Sequence, residues 1–282
     1  MTTPMHVELA ETLRERIRAG EFTKRPEDEA ARDDGSTESS GDEAPRDRQR
    51  GKLPSEAELM RSYGMSRTTV RAALKELQDQ GLLQSASGRG YFVRTFKHFT
   101  YRPQDDFKRG STMRNADSFT AAAAAAQRTA EQQIDVRVAV AEDDVARRMQ
   151  VDIGTPVVIR RRLRFVDGVP IQINDSHYPL DIVVGTEIMH PASIDRGANE
   201  VLAENGHAQT RALDEIWLRM PTPDEVRQLQ LGRGTPVAEH IITGFTTDDR
   251  VVRMVRVIIP GDRNVITFER THPDHASGGG DE

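Results

Sequence analysis

The sequence contains no cysteine, which excludes disulfides, thiolate metal sites and a cysteine nucleophile. It has no apolar run near the ~18 to 20 residues that a bilayer span requires, and its N-terminus lacks the basic-then-apolar pattern of a signal peptide. The 8 histidines are scattered without metal-ligand spacing, and neither a phosphate-binding loop nor a Gly-x-Ser-x-Gly motif occurs. We therefore expect a cytoplasmic protein that uses no membrane, no metal and no cofactor.

Two capped helices separated by a glycine turn are predicted in the stretch from residue 55 to residue 77. Ser55 and Glu58 have the spacing of a capping box, and Gly64 is a natural stop for a short helix. Ser66 is a good N-cap for the second helix. Four apolar residues recur at helical spacing on that helix and form one stripe: Val70, Ala73, Leu74 and Leu77. A helix, a short turn and a second capped helix make up the helix-turn-helix pattern.

Polar side chains occupy the start of the second helix, off the apolar stripe. They are Arg67, Thr68, Thr69 and Arg71. Arginines and hydroxyls at a helix N-terminus suit phosphates and base edges in a DNA major groove, whereas the alternative is a solvated helix start. Downstream, two short β-prone runs flank residues 85–90, which predicts a hairpin wing with a glycine-rich, basic tip.

Three linked motifs cover residues 53–59, 66–74 and 88–93: Leu-Pro-Ser-Glu-x-Glu-Leu, Ser-Arg-Thr-Thr-Val-Arg-x-Ala-Leu and Gly-Arg-Gly-x-Phe-Val. In order and spacing they resemble the winged helix-turn-helix of the GntR family of bacterial transcription regulators. The resemblance implies a DNA interface, with the last three residues reaching the minor groove: Ser55, Arg61, Ser66, Arg67, Thr68, Thr69, Arg71, Gly88, Arg89 and Gly90. Ala57 stands where relatives often carry arginine, so one contact is missing or has moved to Arg61.

The net charge of −6 conceals a local change of sign. From Gly51 to Lys97, 8 Lys and Arg residues stand against 4 Asp and Glu residues, a local charge of 8 − 4 = +4. Phosphate binding depends on the local patch rather than on the whole-chain sum, so the acidic balance does not exclude DNA binding.

The N-terminal domain is predicted to span residues 1–95. Met5 to Gly20 is predicted to be a helix with one apolar face, made of Val7, Ala10, Leu13 and Ile17, and with solvated arginines Arg14, Arg16 and Arg18. Residues 23–50 are rich in charged and small residues and nearly devoid of large apolar ones. Such a segment cannot bury enough surface to offset its ordering entropy, which predicts a disordered insertion.

Residues 96–115 are predicted to form an interdomain linker, in which the aromatic residues pack rather than stack on bases. The second domain is predicted to span residues 116–270, followed by a disordered tail at 271–282. Phe119 to Glu131 contains six consecutive alanines and is predicted to be a helix, because alanine is the best helix former. Alternating apolar residues predict a strand from Gln132 to Val140.

The second domain contains an internal repeat. Residues 149–157 return, 80 residues later, as residues 229–237, each with a Gly-Thr-Pro-Val end. A short helix precedes each copy and a strand–turn–strand pattern follows it, over 157–173 in one copy and 237–259 in the other. A helix, a turn and a β-hairpin, twice over, predict an α+β domain with an antiparallel sheet.

Short sequences across residues 119–269 resemble the UTRA effector domain, which has the chorismate-lyase-like fold and marks the HutC subfamily. They are Gly154-Thr155-Pro156-Val157, Arg162-Leu163-Arg164, Asp167-Gly168-x-Pro170, Tyr178-Pro179 and Gly261-Asp262-Arg263. The resemblance implies a fold of an N-terminal winged helix-turn-helix joined to a C-terminal antiparallel-sheet domain that binds a small effector.

Arg160, Arg162 and Arg164 alternate along one strand and therefore point to one face of the sheet. The alternatives are an exposed basic face and a site in which, as the resemblance implies, Arg162 and Arg164 hold an anion. The residues assigned to the effector site are Arg160, Arg162, Arg164, Asn174, Tyr178 and Arg253. Relatives commonly carry glutamate and tyrosine where Arg253 and Ile259 stand here, so we expect a ligand more anionic or more apolar than an amino sugar phosphate. Trp217, on a strand predicted from Leu213 to Met220, is interpreted as a core residue.

We therefore expect a ligand-controlled repressor that binds a palindromic DNA operator as a homodimer. The sequence does not fix the direction of the ligand effect, so activation on ligand binding stays open. One alternative is a ligand-independent DNA-binding regulator whose second domain only dimerises. Another is a chorismate-lyase-like enzyme, since a fold does not by itself carry a function.

Overall fold

The computed structural model describes residues 4–22, 51–86, 88–94, 97–107 and 117–270. The predicted insertion at 23–50, the end of the predicted linker at 108–115 and the tail at 271–282 lie outside the described residues. The chain divides into two compact units, the first Met1–Phe96 with Gly232–Thr235 and the second Lys97–Leu231 with Pro236–Glu282. Within the described ranges, no helix has both the length and the apolar content of a membrane span.

The described part of the first unit is a set of helices followed by a β-hairpin. Its elements are α1 (Met5–Arg18), α2 (Glu56–Tyr63), α3 (Arg67–Asp79), β1 (Leu83–Ala86) and β2 (Gly90–Val93). The two strands pair antiparallel, with Leu83 opposite Val93. Gly64 connects α2 to α3 in the left-handed region, at φ 64°. This is the winged helix-turn-helix that the sequence predicts.

The core of the first unit forms where the apolar stripe of α3 meets α1. All four stripe residues are buried, together with Leu9, Ala10 and Leu13 of α1. Leu9 was not on the predicted apolar face of α1, and Val7 and Ile17 are only partly buried. The helix is therefore turned relative to the predicted face, because the position of its packing partner, and not the periodicity alone, decides which side is buried.

The second unit is an antiparallel six-stranded sheet in the order β4-β5-β6-β9-β8-β7, with a small two-stranded sheet in which β10 pairs parallel with β3. Its strands are β3 (Phe99–Tyr101), β4 (Ala130–Val140), β5 (Pro156–Val166), β6 (Val169–Pro179), β7 (Arg211–Arg219), β8 (Val237–Phe245), β9 (Val251–Pro260) and β10 (Asn264–Ile266). Its helices are α4 (Ser118–Ala125), α5 (Asp143–Met149), α6 (Leu180–Val183), α7 (Ala198–Glu204) and α8 (Pro223–Gln228), with 3-10 turns at Pro103–Phe107 and Glu187–Met189.

The two repeat copies adopt the same local structure. Each consists of a short helix, a turn and a hairpin: α5 leads into β5–β6, and α8 leads into β8–β9. Gln150 and Gln230, at matching positions, both take the left-handed conformation, at φ 55° and 50°. Compared with the predicted ranges 157–173 and 237–259, the first hairpin begins one residue earlier and ends six residues later, and the second ends one residue later, because cross-strand pairing continues past the most apolar positions.

The two faces of the large sheet are covered differently. We call the face that carries Arg160, Arg162 and Arg164 the arginine face, and the opposite one the helix face. On the helix face, α5 packs around Met254 and the segment after α8 packs around Ile258. On the arginine face, α6, the turn at Glu187–Met189 and α7 form a core with Val158 and Tyr178.

Two element predictions in the second unit are wrong at their boundaries. The predicted helix from Phe119 to Glu131 ends at Ala125, and β4 already begins at Ala130. Gln127 has φ 54°, which a right-handed helix cannot accommodate, so the alanine run extends no further as a helix. The predicted linker at 96–115 contains a strand, because Phe99–Tyr101 pairs with β10 and Phe99 is buried against Phe119.

Trp217 is the third difference. The predicted strand is present, but Trp217 is largely exposed on β7, at the edge of the sheet, so the interpretation as a core residue is wrong. A strand at an edge and a strand in the middle of a sheet share the same local pattern, and the position in the sheet depends on the rest of the chain.

Candidate nucleic-acid interface and ligand pocket

The start of α3 presents polar side chains to solvent. The side chains of Arg67 and Arg71 are 64 % and 57 % exposed. Ser66 caps the helix, because its hydroxyl accepts a hydrogen bond from the backbone N–H of Thr69 at 3.2 Å. Thr68 is exposed beside these residues, whereas Thr69 is half-buried and its hydroxyl lies 2.8 Å from that of Ser66. The predicted recognition residues thus form one exposed group, with Thr69 committed partly to the cap.

Glu56 of α2 holds both recognition arginines, a role that was not predicted from the sequence. Its carboxylate accepts hydrogen bonds from Nε of Arg67 at 3.1 Å and from Nε of Arg71 at 3.0 Å. Burial acts to raise the pKa of Glu56, but the hydrogen bonds from Arg71 and Arg67 outweigh it and lower that pKa below its ordinary value. Because these bonds use Nε, Glu56 restrains the guanidinium groups without using their terminal amino groups, which bidentate contacts need.

The remaining predicted interface residues of α2 have different surroundings. Ser55 forms the predicted capping box with Glu58. The Ser55 hydroxyl accepts from the backbone N–H of Glu58 at 3.3 Å, and the backbone N–H of Ser55 donates to the Glu58 carboxylate at 2.7 Å. Its hydroxyl is therefore part of the helix cap. Arg61 is exposed in the last turn of α2.

The wing tip is exposed, and its two glycines take left-handed backbone conformations that glycine adopts more easily than other residues. Gly88 and Gly90 have φ 70° and 102°, and Arg89 between them is exposed. Lys52 forms a β-bridge with Phe92 and is exposed, so a second basic residue lies beside the wing strand. Lys52 was not predicted as an interface residue. It directly precedes the Leu-Pro-Ser motif, and the pairing of this segment with the wing is not visible in the sequence.

Two arginines of α1 serve the fold of the first unit. Arg14 donates from Nε to the side chain of Gln80 at 3.1 Å, and Arg16 donates to the hydroxyl of Tyr63 at 2.7 Å and pairs with Glu21. The expectation of purely solvated side chains is therefore wrong for these two residues, whereas Arg18 is exposed as expected.

In the second unit, the register confirms that the three alternating arginines share one face. Arg160 lies opposite Ser176, Arg162 opposite Asn174 and Arg164 opposite Gln172, so a polar row on β6 runs beside the arginines. Arg160 and Arg164 are only 2 % and 5 % exposed. An exposed basic sheet face, the alternative considered from the sequence, is therefore wrong.

Arg160 is used by the fold itself. Its guanidinium donates to the backbone carbonyls of Ile188, His190 and Ala192, in the segment between the turn at Glu187–Met189 and α7. Burial and the neighbouring Arg162 lower the pKa of Arg160 below that of an ordinary guanidinium. Arg160 thus ties this segment to the sheet, and its assignment to the effector site stays a prediction.

Arg164 stacks on Phe119, with its guanidinium carbon 4.7 Å from the ring centroid, and lies 3.8 Å from the carboxylate of Asp117. Asp117 also caps α4 by accepting from the backbone N–H of Thr120 at 2.9 Å. Burial acts to raise the pKa of Asp117, but Arg164 and the hydrogen bond from Thr120 lower it overall. A segment that the sequence placed at the domain boundary therefore supplies one wall of the arginine face.

Arg162 is the arginine best placed to meet a ligand. Its terminal amino group donates to the side-chain oxygens of Asn174 at 3.0 Å and Ser176 at 2.7 Å, while its Nε is buried and has no hydrogen-bond partner among the described residues. The hydroxyl of Tyr178 and the amide oxygen of Gln172, on the same face, are buried and equally without a partner there.

Two further residues extend this polar surface across the sheet. Arg253 is buried on β9 opposite Gly244. The side chain of Gln209 packs so closely against Gly244 that any side chain at position 244 would collide with Gln209. Both ends of the buried Gln209 amide lack a hydrogen-bond partner among the described residues. Buried polar atoms are almost always paired, so these atoms make the arginine face the candidate site for a polar ligand. Gln172, Ser176 and Gln209 were missed from the sequence, because neither periodicity nor resemblance singles them out.

Comparison with known families assigns both units. A profile of the UTRA domain matches residues 124–264, which is 141 of the 282 residues and thus half of the chain, and a profile of bacterial regulatory proteins of the gntR family matches residues 48–93. The chain belongs to the GntR family of transcriptional regulators that carry a UTRA domain.

Curated relatives and solved structures agree with this assignment. The transcriptional regulator YurK of Bacillus subtilis is 24 % identical over 226 residues, covering 79 % of this chain and 86 % of its own. The transcriptional repressor NagR of the same organism is 27 % identical over 214 residues, covering 75 % and 82 %. The crystal structure of PhnF from Mycobacterium smegmatis superposes with a TM-score of 0.50 at 25 % identity, covering 78 % and 92 %.

This GntR-family regulator is a DNA-binding protein and not an enzyme, because the matched families and relatives are transcriptional regulators. Among the described residues, no group of three or more His, Asp and Glu side chains is arranged to hold a metal ion.

Proposed function

We propose that the chain is a repressor of the HutC subfamily that binds a palindromic operator as a homodimer and responds to a small anionic metabolite. The observation that carries the proposal is the combination of an exposed, pre-oriented arginine pair on the first unit with a buried, arginine-rich polar cluster on the second. The first suits the phosphates and base edges of DNA, and the second suits a small anion.

The DNA-binding half of the proposal rests on α3. Arg67 and Arg71 lie at the exposed start of a helix that follows a glycine turn, which is the position from which a recognition helix reads base edges in the major groove. Glu56 limits the freedom of both guanidinium groups before binding, so less conformational entropy is lost on contact with a base. Arg89 at the wing tip and Arg61 on α2 then serve phosphates, and the glycines of the tip allow close approach to the minor groove.

The effector half rests on the guanidinium groups and neutral polar side chains of the arginine face. Arg162, Arg164 and Arg253 lie in this region, and Asp117 is the carboxylate that approaches Arg164. Guanidinium groups held in a region of low dielectric bind phosphate or carboxylate strongly, since charge-assisted and bidentate hydrogen bonds are strongest there. Asn174, Ser176, Tyr178, Gln172 and Gln209 add neutral hydrogen-bonding groups that suit the hydroxyls of a polar metabolite.

Repression is the direction we propose, and the repressor NagR supports it as a relative over most of the chain. A ligand that binds better to a form whose DNA-binding units are misplaced lowers operator affinity by that difference in affinity alone.

Calorimetric titration of the full-length protein with inorganic phosphate, sulfate and a panel of sugar phosphates and carboxylates tests the effector site. We expect at least one anion to bind and Arg162→Ala to abolish its binding. Arg161→Ala is the matched control, because Arg161 is on the helix face of the same strand and pairs with Asp175 at 3.5 Å. Equal binding in Arg162→Ala and wild type would remove the arginine face from the proposal, and no binding of any anion would favour the ligand-independent regulator.

A further inference from the structure

Strand β7 ends the six-stranded sheet, and no described strand pairs with its outer side. Its backbone therefore presents a row of unpaired N–H and C=O groups. Five large apolar side chains on β7 or directly after it are 42 % to 82 % exposed: Leu213, Ile216, Trp217, Leu218 and Met220. Exposed apolar side chains of this size on an unpaired edge mark a surface that another strand covers.

The exposed apolar side chains lie on both faces of β7. Leu213 and Trp217 belong to the helix face, whereas Ile216 and Leu218 belong to the arginine face, because successive residues of a strand alternate. Phe268 continues the apolar surface, as its half-exposed ring stands edge-on to His240, the residue opposite Ile216. A partner that packed on one face of the sheet would cover only the apolar side chains of that face. A strand added to the edge covers both halves.

The other edge of the sheet, β4, exposes Val138 and Val140 on its arginine face but is polar and charged along its helix face. On the helix face of β4, the exposed residues are Glu131, Gln133, Asp135 and Arg137. Charged side chains on an edge discourage pairing with another chain. The centre of β7, Ile216-Trp217-Leu218, has no such charge and no proline.

We propose that β7 pairs antiparallel with β7 of a second copy of this chain, around a two-fold axis that passes through Trp217. The proposal rests on the homodimer of the proposed function and supplies its interface. In this register Ile216 lies opposite Leu218 of the partner subunit, and Glu215 lies opposite Arg219 of the partner subunit. Apolar and oppositely charged cross-strand pairs each stabilise a sheet.

Neighbouring registers fit less well. An axis through Glu215 would set Glu215 against Glu215 of the partner subunit, and an axis through Ile216 would set Glu215 against Trp217 of the partner subunit. The charges are also held in place beforehand, since Glu215 pairs with Arg148 at 2.9 Å, and Arg219 pairs with Glu239 at 2.6 Å and Glu225 at 2.7 Å. Pairing around the axis at Trp217 would place Glu215 of one copy beside Arg219 of the partner subunit, which extends these ion pairs across the interface.

Sedimentation velocity of the full-length protein without DNA or effector tests the interface. We expect a dimer for wild type and at least a tenfold weaker dimer for Leu218→Glu. The leucine is 82 % exposed, so its replacement should leave the monomer folded. Val140→Glu is the control, because Val140 is a similarly exposed apolar residue on the β4 edge, and it should dimerise like wild type. Trp217 is the only tryptophan in the sequence, so its emission should shift to the red as the protein is diluted into monomers.

Cysteine cross-linking tests the register, because the sequence contains no cysteine of its own. We expect Trp217→Cys to form a covalent dimer under mild oxidation, since residues opposite each other near the axis lie within the ~4.4–6.8 Å that a disulfide spans between Cα atoms. Leu213→Cys, on the same strand and face, should stay monomeric, because the two cysteines would be roughly 27 Å apart at about 3.4 Å per residue.

A wild-type monomer at all concentrations would overturn the proposal, and a blue-shifted tryptophan emission in that monomer would identify another segment of the chain as the cover. Unchanged dimerisation of Leu218→Glu, or cross-linking of Leu213→Cys as fast as of Trp217→Cys, would place the dimer contact elsewhere. A dimer contact elsewhere would leave the proposed function intact, because operator binding and anion binding are measured separately, whereas a wild-type monomer would also remove the homodimer from it.

Discussion

Glu56 shows how a single carboxylate can shape a cationic surface. It lies between Arg67 and Arg71, and its hydrogen bonds to both Nε atoms fix the direction of two side chains that would otherwise move independently. The two arginines were predicted from the sequence because their type and spacing carry the information. The role of Glu56 was not predicted, because it depends on the angle between α2 and α3, which no local pattern contains.

We predict that Arg67→Ala and Arg71→Ala each weaken specific operator binding by ~1–3 kcal/mol, the value of a good base contact. Fluorescence anisotropy with labelled operator DNA measures the change. Lys75→Ala is the control, since Lys75 lies one turn beyond Arg71 on α3 and pairs with Asp79 at 2.8 Å. If both arginine variants bind like wild type, α3 is not the recognition helix.

Glu56→Gln is expected to lower the ratio of operator affinity to random-sequence affinity several-fold. The substitution removes a negative charge near the DNA, which favours phosphate contacts at any sequence, and it weakens the orientation of the two arginines, which disfavours base contacts. Anisotropy titrations with operator and random duplexes give the ratio. An unchanged ratio would mean that Glu56 only neutralises charge.

A buried histidine on the helix face makes stability depend on pH. His177 is 5 % exposed, and burial, with a contribution from Arg256, lowers its pKa from the ordinary 6.5 to about 4. The unfolded chain takes up a proton near pH 6.5, whereas folded His177 stays neutral until about pH 4, so its contribution is complete above pH 6.5 and declines between these values. At ~1.4 kcal/mol per pH unit, the decline amounts to up to about 3 kcal/mol.

Urea denaturation of wild type and His177→Gln between pH 7 and pH 4 checks this expectation. The wild-type free energy of unfolding should fall more steeply than that of the variant. The difference between the two isolates His177 from neighbouring Asp175, whose pKa burial raises. His98→Gln, at an exposed position, should follow the wild-type curve. Parallel curves for wild type and His177→Gln would show that His177 is not buried in its neutral form.

At the scale of elements, most helices and strands were predictable, and the differences share one cause. The capping box of α2 and the stripe of α3 are local signals, and both are present in the structure. The repeat predicted two hairpins because the same nine-residue pattern occurs twice. Phe99–Tyr101 and Trp217 were misinterpreted because a strand in a separate small sheet and a strand at an edge are distinguished only by distant partners.

The arginine face illustrates the same limit. Alternation predicted that Arg160, Arg162 and Arg164 share a side, and the register confirms it. Their division of labour was not predictable, because Arg160 meets carbonyls 28 to 32 residues away, and Arg164 meets Phe119.

We predict that Arg160→Met destabilises the second unit by at least ~2–4 kcal/mol, because it leaves the carbonyls of Ile188, His190 and Ala192 without a donor. Chemical denaturation measures the loss, and hydrogen exchange should rise first in the segment around residues 186–194. Arg161→Met should cost less than ~1 kcal/mol, as expected for a partly exposed ion pair. Equal losses in the two variants would contradict a separate anchoring role for Arg160.

For the whole molecule, an overall acidic charge and a locally basic DNA-binding segment act together. The net charge of −6 opposes non-specific association with DNA, while the +4 of residues 51–97 (8 − 4) serves the operator. Two copies joined through a two-fold axis would present two recognition helices to two half-sites, so operator palindromy, dimer contact and effector response belong to one arrangement.

Selection of bound sequences from a pool of random duplex DNA, with the full-length protein at physiological salt, tests this arrangement most directly. We expect wild type to enrich one palindromic sequence with two half-sites and the Arg67→Ala/Arg71→Ala double variant to enrich none. Enrichment of no sequence by wild type, or of the same palindrome by the double variant, would contradict it.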